Sequence, residues 1–95
     1  MDLNTSCSIK LPAWVMPFLD QRETELSSTS ERMQLAIDLA DENVRQGTGG
    51  PFGAIVVNEK SGELVSVGVN LVTSSGMSMA HAEIVALTLA QAKIG

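Results

Sequence analysis

The sequence predicts a small α/β domain in which helices flank a pair of antiparallel strands. Three observations predict this class: apolar residues at helical spacing near residue 40, two short runs rich in branched residues ("GAIVV" and "LVSVGV"), and a final apolar stretch of helical length. An apolar content of 44% with 18% charged residues is typical of a packed chain, and 95 residues make one domain at most.

Residues 1–29 are predicted to form a tail and a docking arm. The first eight residues are polar, and Ile9–Leu19 contains Pro12 and Pro17, which we expect to prevent a regular helix. An extended arm that lies on the domain is therefore expected. Its docking groups would be Trp14, Val15, Phe18 and Leu19.

A surface helix is predicted from about Ser30 to Gln46. Ser28 with Glu31 three residues later forms a capping-box pattern, and the glycines and proline of "GTGGP" end the helix. The apolar residues at helical spacing that we expect to face the core are Met33, Ala36, Ile37, Ala40 and Val44.

Two strands and a second helix are predicted after this turn. Ala54–Val57 and Leu64–Val69 are expected to pair antiparallel across the polar loop "EKSGE". The segment "LVTSSGMS" is predicted to be a loop, with Ser78 as the N-cap of a helix over about Met79–Lys93.

The final helix is apolar on every face, which is typical of a helix buried on all sides. One surface helix and two strands cannot surround it. We therefore expect further chain or another subunit to cover it.

Charge and cysteine content narrow the class of partner. A net charge of −5 gives no electrostatic footprint for a nucleic-acid backbone, so a nucleic-acid partner is disfavoured and a small neutral substrate is favoured. The single cysteine, Cys7, cannot form an internal disulfide, and no apolar run is long enough to span a membrane. We expect a cytoplasmic protein without a membrane partner.

His81 and Glu83 stand at the head of this apolar helix. Side chains two residues apart point about 200° apart around a helix, so they share a site only off its N-terminal end, where backbone amides are also free. There His81 could bind a metal and Glu83 could move protons on a metal-bound water. The alternative is an ordinary capped helix end, because short motifs often occur without function.

Three segments, which follow one another along the chain as "GGPFGAIVV", "GVN" and "AHAEIVAL", resemble the cytidine and deoxycytidylate deaminase superfamily, and within it the guanine deaminase branch. The resemblance covers about residues 31–95, and the arm "LPAWVMPFL" is also similar to some bacterial members. It implies the three-layer fold of that superfamily, of which residues 30–95 would form the N-terminal portion. Zinc deaminases carry the signature H-x-E followed by P-C-x-x-C.

The resemblance assigns roles to individual residues. It implies that His81 is a zinc ligand, that Glu83 is the catalytic acid and base, and that Asn70 reads the polar edge of the base. It places Phe52 in the base pocket, with Gly53 and Ala54 allowing close approach and Ala82 offering its amide to the substrate. From the residues alone, Asn70 is more typical of a strand-end turn, and Phe52 is as typical of core packing as of a pocket.

This sequence departs from the family pattern because it contains no P-C-x-x-C, and one histidine does not hold zinc. We therefore expect the N-terminal part of a dimeric purine deaminase that converts guanine and water to xanthine and ammonia, with the remaining zinc ligands elsewhere. The alternatives are a tRNA adenosine deaminase and a catalytically dead pairing module. Residues 1–95 alone are expected neither to hold zinc nor to deaminate, and to be ordered only with a partner.

Overall fold

The computed structural model of the chain describes residues 1–95 and confirms the α/β class. Four helices accompany one two-stranded sheet. In chain order the elements are α1 (Val15–Asp20), α2 (Thr29–Arg45), β1 (Gly53–Val57), β2 (Leu64–Val69), α3 (Val72–Ser75) and α4 (Ala82–Ile94).

The N-terminal arm contains a short helix, so the prediction of a wholly extended arm is wrong for Val15–Asp20. Pro17 is tolerated because it lies in the first turn, where backbone N–H groups have no intrahelical partner in any case. The prediction that the arm docks is confirmed, since Val15 and Leu19 are buried in the core. The indole of Trp14 anchors the arm by donating to Thr48 Oγ1 at 2.9 Å.

The segment between α1 and α2 also joins the domain. The Leu26 amide donates to the Gly62 carbonyl at 2.7 Å, and the Leu64 amide donates to the Thr24 carbonyl at 2.8 Å. Leu26 lies in the same buried cluster as Val15. The arm therefore shares one core with the rest of the chain. The predicted boundary between residues 29 and 30 separates the arm from the deaminase-like portion but does not separate two cores.

Helix α2 begins as predicted, with both halves of the capping box formed between Ser28 and Glu31. The predicted core face is wrong in part: Met33, Ile37 and Val44 are exposed, whereas Leu35, Leu39 and Asn43 are buried. Ala36 and Ala40 are half-buried beside the sheet. The helix carries two apolar stripes, and the stripe with these alanines allows the closest approach to the strands.

The sheet has the predicted antiparallel pairing, with Ala54 opposite Gly68 and Gly53 opposite Val69. A Cβ on Gly53 would overlap the Ala36 backbone of α2, and a Cβ on Gly68 would overlap the Ala82 carbonyl of α4. Because opposed residues in a sheet share a face and neighbours alternate, these two glycines face opposite sides. The helices therefore cover opposite faces, which gives three layers.

The segment after β2 differs from the prediction in two respects. Its first residues form the one-turn helix α3, and α4 has His81 as its N-cap, so Ser78 is not the cap. The residues before α4 are held in turns instead, because the Ala80 amide donates to the Met77 carbonyl at 3.0 Å. Ser78 therefore lies in the connection that precedes the helix.

Helix α4 buries only one side against the strands. Ala82, Val85, Ala86 and Ala90 are buried, while Ile84, Leu87 and Ile94 are exposed. The prediction that residues 1–95 cannot surround this helix is confirmed. No helix of the structure combines the length and the apolar character needed to cross a membrane.

Candidate active site

Backbone hydrogen bonds gather the predicted site residues at one end of the sheet. The Asn70 amide donates to the Phe52 carbonyl at 3.1 Å, and the next amide, that of Leu71, donates to the Ala80 carbonyl at 2.9 Å. Three chain segments therefore meet here: the entry to β1, the exit from β2 and the start of α4. The segments that carry Phe52, Asn70 and His81 lie side by side.

The start of α4 presents a histidine and a glutamate to solvent. His81 is the N-cap, with extended backbone angles of φ −69° and ψ 152°, and its side chain makes no capping hydrogen bond. Glu83 lies in the first turn, and both side chains are exposed. Ala82 between them is buried. Since first-turn amides lack intrahelical acceptors, this end of the helix is suited to a polar ligand.

Asn70 is buried, with 9% of its surface exposed, and its two side-chain groups differ in their partners. Its Oδ1 accepts a hydrogen bond from the Val72 amide at 3.3 Å, so the turn role is real. Its Nδ2 group donates no hydrogen bond within the chain. One end of the amide fixes the turn, and the other end is free to bind a ligand.

Phe52 does not pack in the core. It is 59% exposed, which excludes the interpretation of Phe52 as a core residue, and its ring lies beside Gly50. Ala54 is half-buried on the face of the sheet that α4 covers, whereas the open side of Gly53 faces α2. The structure brings Phe52 and Asn70 together by a backbone hydrogen bond.

Sequence reasoning missed Asn43, which is fully buried. Its Nδ2 donates to the carbonyls of Gly50 and Asn70, both at 2.9 Å, and its Oδ1 accepts from Thr48 Oγ1 at 2.6 Å. The missed signal was periodicity: Asn43 continues the stripe of Leu35 and Leu39 at intervals of four residues. A polar side chain on a buried stripe is uncommon unless it is fully hydrogen-bonded.

The residues present do not form a metal site on their own. No group of three or more His, Cys, Asp or Glu side chains is placed to hold a metal ion. The exposed imidazole of His81 fits one nitrogen ligand of zinc, and Cys7 lies in the exposed N-terminal segment. A tetrahedral zinc site would need ligands in addition to these residues.

No cavity of the structure is lined by Phe52, Asn70, His81 or Glu83. The most apolar cavity, about 440 Å³, lies instead between α1, β2 and α4, where Leu19, Leu64 and Leu89 line it. Binding sites are commonly apolar pockets, but the titratable groups that line this cavity are Asp20 and Lys93, with no histidine or cysteine to bind a metal. The histidine and the glutamate suited to metal and proton chemistry lie instead at the start of α4.

Comparison with known proteins places this arrangement in a family. The family model of the cytidine and deoxycytidylate deaminase zinc-binding region matches residues 26–95. The chain belongs to this deaminase family. The matched region of the family is described as zinc-binding. The match covers β1, β2 and α4, the helix that His81 caps.

Two kinds of relative support this assignment. Guanine deaminase from Bacillus subtilis (strain 168) is 43% identical over 63 residues, which are 66% of this chain and 39% of that protein. The solved guanine deaminase of Nitrosomonas europaea is 35% identical, with a TM-score of 0.83 over 99% of this chain and 50% of that chain. A further solved structure, a complex with 2,6-diaminopurine, is 37% identical with a TM-score of 0.84, over 97% of this chain and 48% of that one.

These matches confirm the predicted superfamily fold and its guanine deaminase-like branch. The chain spans half or less of the length of these relatives. Their fold and family therefore apply to residues 1–95, whereas activity, substrate and assembly of the whole protein are matters for proposal.

Proposed function

We propose that residues 1–95 form the histidine-and-glutamate part of a zinc-dependent deaminase that converts guanine and water to xanthine and ammonia. The observation that carries the proposal is the pair of backbone hydrogen bonds, Asn70 to Phe52 and Leu71 to Ala80. They support the proposal because they join the chain segments that carry Phe52 and Asn70 to the start of α4. The similarity to guanine deaminases supports guanine as the substrate.

His81 and Glu83 have separate roles in this proposal. His81 would hold zinc together with ligands outside residues 1–95, and zinc makes water a nucleophile at neutral pH. Glu83 is exposed and in the first turn of α4, so it can reach a ligand at the helix end. It would carry one proton of the attacking water to a ring nitrogen and the second proton to the departing amine.

Binding of the base falls to the other two segments. The free Nδ2 of Asn70 donates a hydrogen bond to an acceptor on the polar edge of the base. The exposed ring of Phe52 lines the pocket, where aromatic contact with a purine is favourable. Ala54 leaves room for the base, and the amide of Ala82 faces the bound substrate. The water oxygen forms a bond to the carbon that carries the amine, and the carbon–nitrogen bond breaks.

The proposal includes assembly and location. Exposed Ile84 and Leu87 on α4 are apolar surface that a second subunit or further chain would cover, in agreement with a homodimer. A single unpaired cysteine is compatible with the reducing cytoplasm. Sedimentation of the purified protein tests the dimer.

Ammonia release tests the activity. The purified protein that contains residues 1–95, supplied with zinc, is incubated with guanine, adenosine, cytidine and a tRNA anticodon stem. We expect release from guanine with formation of xanthine, and no release from the Glu83→Gln variant, which excludes a contaminating enzyme. Release from the tRNA stem alone would favour the tRNA adenosine deaminase. Release from no substrate would favour the non-catalytic pairing module.

A further inference from the structure

We propose that Asn43 is a positioning residue for base recognition, an inference that rests on the proposed function. Asn43 contacts neither the proposed zinc ligand nor the proposed proton carrier. It acts through Asn70 and Phe52, whose main chain it fixes. Thr48 and Trp14 in turn fix the side chain of Asn43.

The hydrogen bonds of Asn43 reach outside its own helix. Its Nδ2 group uses both protons, one for the Gly50 carbonyl in the turn before β1 and one for the Asn70 carbonyl at the end of β2. The two preceding positions of this buried stripe are leucines. An apolar residue would also fill the site, so the polar side chain gives specific placement of two loops rather than burial alone.

The two carbonyl groups belong to the proposed base site. The Gly50 carbonyl also accepts the Phe52 amide at 2.9 Å, so one oxygen joins Asn43 and Phe52. The backbone of Asn70 is held at its amide by Phe52 and at its carbonyl by Asn43. A Cβ on Gly49 would overlap the Asn70 carbonyl, so the turn is pressed against this residue. The Nδ2 group of Asn70 has no partner within the chain and is left to bind a base.

Thr48 and Trp14 determine which way the Asn43 amide points. An indole N–H is a donor only, so the Thr48 hydroxyl accepts from Trp14 and directs its own proton to Asn43 Oδ1. The Nδ2 group of Asn43 must then face the two carbonyls. Through this chain of hydrogen bonds, helix α1 is connected to the base site.

The test compares KM and kcat for guanine in variants of the protein that contains residues 1–95. Asn43→Leu keeps the branched shape of the side chain and extends the apolar stripe, but it removes every hydrogen bond of the side chain. We expect KM to rise at least tenfold with a much smaller change in kcat, because the loss concerns binding common to substrate and transition state. Thr48→Val is expected to raise KM less than Asn43→Leu does. Thr48→Ser, which keeps the hydroxyl, is expected to have the KM of the unmodified protein. Asn58→Asp in the exposed hairpin loop is the matched control.

A double-mutant cycle separates positioning from stability. In an Asn70→Ala background, Asn43→Leu should raise KM no further, because its effect passes through Asn70. An unchanged KM with less active protein would show a purely structural role, and an additive effect would show independence from Asn70. Either result overturns the proposal. If Asn43→Leu does not fold, an unchanged KM in Thr48→Val overturns it equally.

A binding measurement distinguishes failure of this inference from failure of the proposed function. If the unmodified protein deaminates nothing, the proposed function fails, and calorimetric titration with 8-azaguanine is then decisive for Asn43. A Kd weakened at least tenfold in Asn43→Leu supports the positioning role. An equal Kd in both proteins overturns it, and absence of binding to the unmodified protein overturns both proposals.

Discussion

The two sides of the candidate site are built in opposite ways. On one side, Asn43 and Asn70 are buried, and the Asn43 amide uses all its hydrogen-bonding groups within the chain. On the other side, His81 and Glu83 are exposed, and no capping hydrogen bond holds His81. We call the first side the amide cluster and the second the helix terminus.

The difference teaches which polar residues serve structure and which are available for chemistry. Buried polar groups are stable only when their partners are present, so the amide cluster is fixed before any ligand arrives. Exposed groups without partners at a helix terminus retain their full capacity to bind a metal or move a proton. In the proposed function, base recognition is thus organised within these residues, whereas the metal side depends on further ligands.

The largest expected effect belongs to the helix terminus. Glu83→Gln should lower kcat about 10²- to 10⁴-fold, the usual contribution of general acid–base catalysis, because the proton carrier is lost. Zinc should remain bound, since Glu83 is not a ligand in this proposal. Ammonia release together with metal analysis measures both quantities. A variant that keeps most of its turnover would exclude the role of Glu83.

For the free energy of unfolding, substitutions in the amide cluster should have the larger effect and substitutions at the helix terminus the smaller. Asn43→Ala should lower the free energy of unfolding of the metal-free protein by about 3 kcal/mol, because two buried carbonyls lose their donor. His81→Ala should change it by less than about 0.5 kcal/mol, since the imidazole is exposed. Urea denaturation of the two variants measures the difference. Equal effects would contradict the contrast between the two sides.

The helix terminus is positioned by packing rather than by side-chain hydrogen bonds. A Cβ on Gly68 would overlap the Ala82 carbonyl and crowd the Ala86 amide. Gly68→Ala should therefore destabilise the protein by about 1–3 kcal/mol, as overpacking does, and displace the start of α4. Urea denaturation and zinc analysis measure the two effects. An unchanged stability with normal zinc content would show that α4 is not held at Gly68.

The smallest expected effect lies at the start of α2, far from both sides. Hydrogen bonds from the side chain of Ser28, then from that of Ser27, lower the pKa of Glu31. The ionised form therefore adds stability above the unfolded pKa of about 4.3, and this is lost as pH falls through the lowered folded value. Glu31→Gln should flatten this slight acid dependence of unfolding, whereas Glu59→Gln in the hairpin loop should not. Equal acid dependence in both variants would exclude the contribution.

Local patterns predicted the strands and the capping box, because alternation and cap chemistry act over a few residues. The family resemblance assigned roles to His81 and Asn70, which stay predictions. Neither kind of signal predicted where α4 begins. A serine before an apolar run is a good N-cap, but turns around Ala80 keep Ser78 out of the helix. Turn hydrogen bonds around Ala80, together with the bond from the Leu71 amide to the Ala80 carbonyl, overrode the local preference for a cap at Ser78.

The face of α2 shows a second limit. Its two apolar stripes are nearly equivalent in sequence, yet Leu35 and Leu39 are buried whereas Met33 and Ile37 are exposed. Choosing the stripe of Leu35 and Leu39 would have revealed Asn43 as a buried polar residue. The amide cluster could not be found from the sequence because Asn43 and Asn70 are 27 residues apart and meet only in the folded chain.

Zinc titration of the isolated 95-residue chain tests most directly whether the helix terminus is incomplete while the amide cluster is built. Calorimetry at neutral pH should detect no site tighter than micromolar, because His81 is the single nitrogen ligand available. Sedimentation in the same buffer should show self-association through the uncovered α4. A stable monomer that binds one zinc ion with submicromolar affinity would contradict the division of the site proposed above.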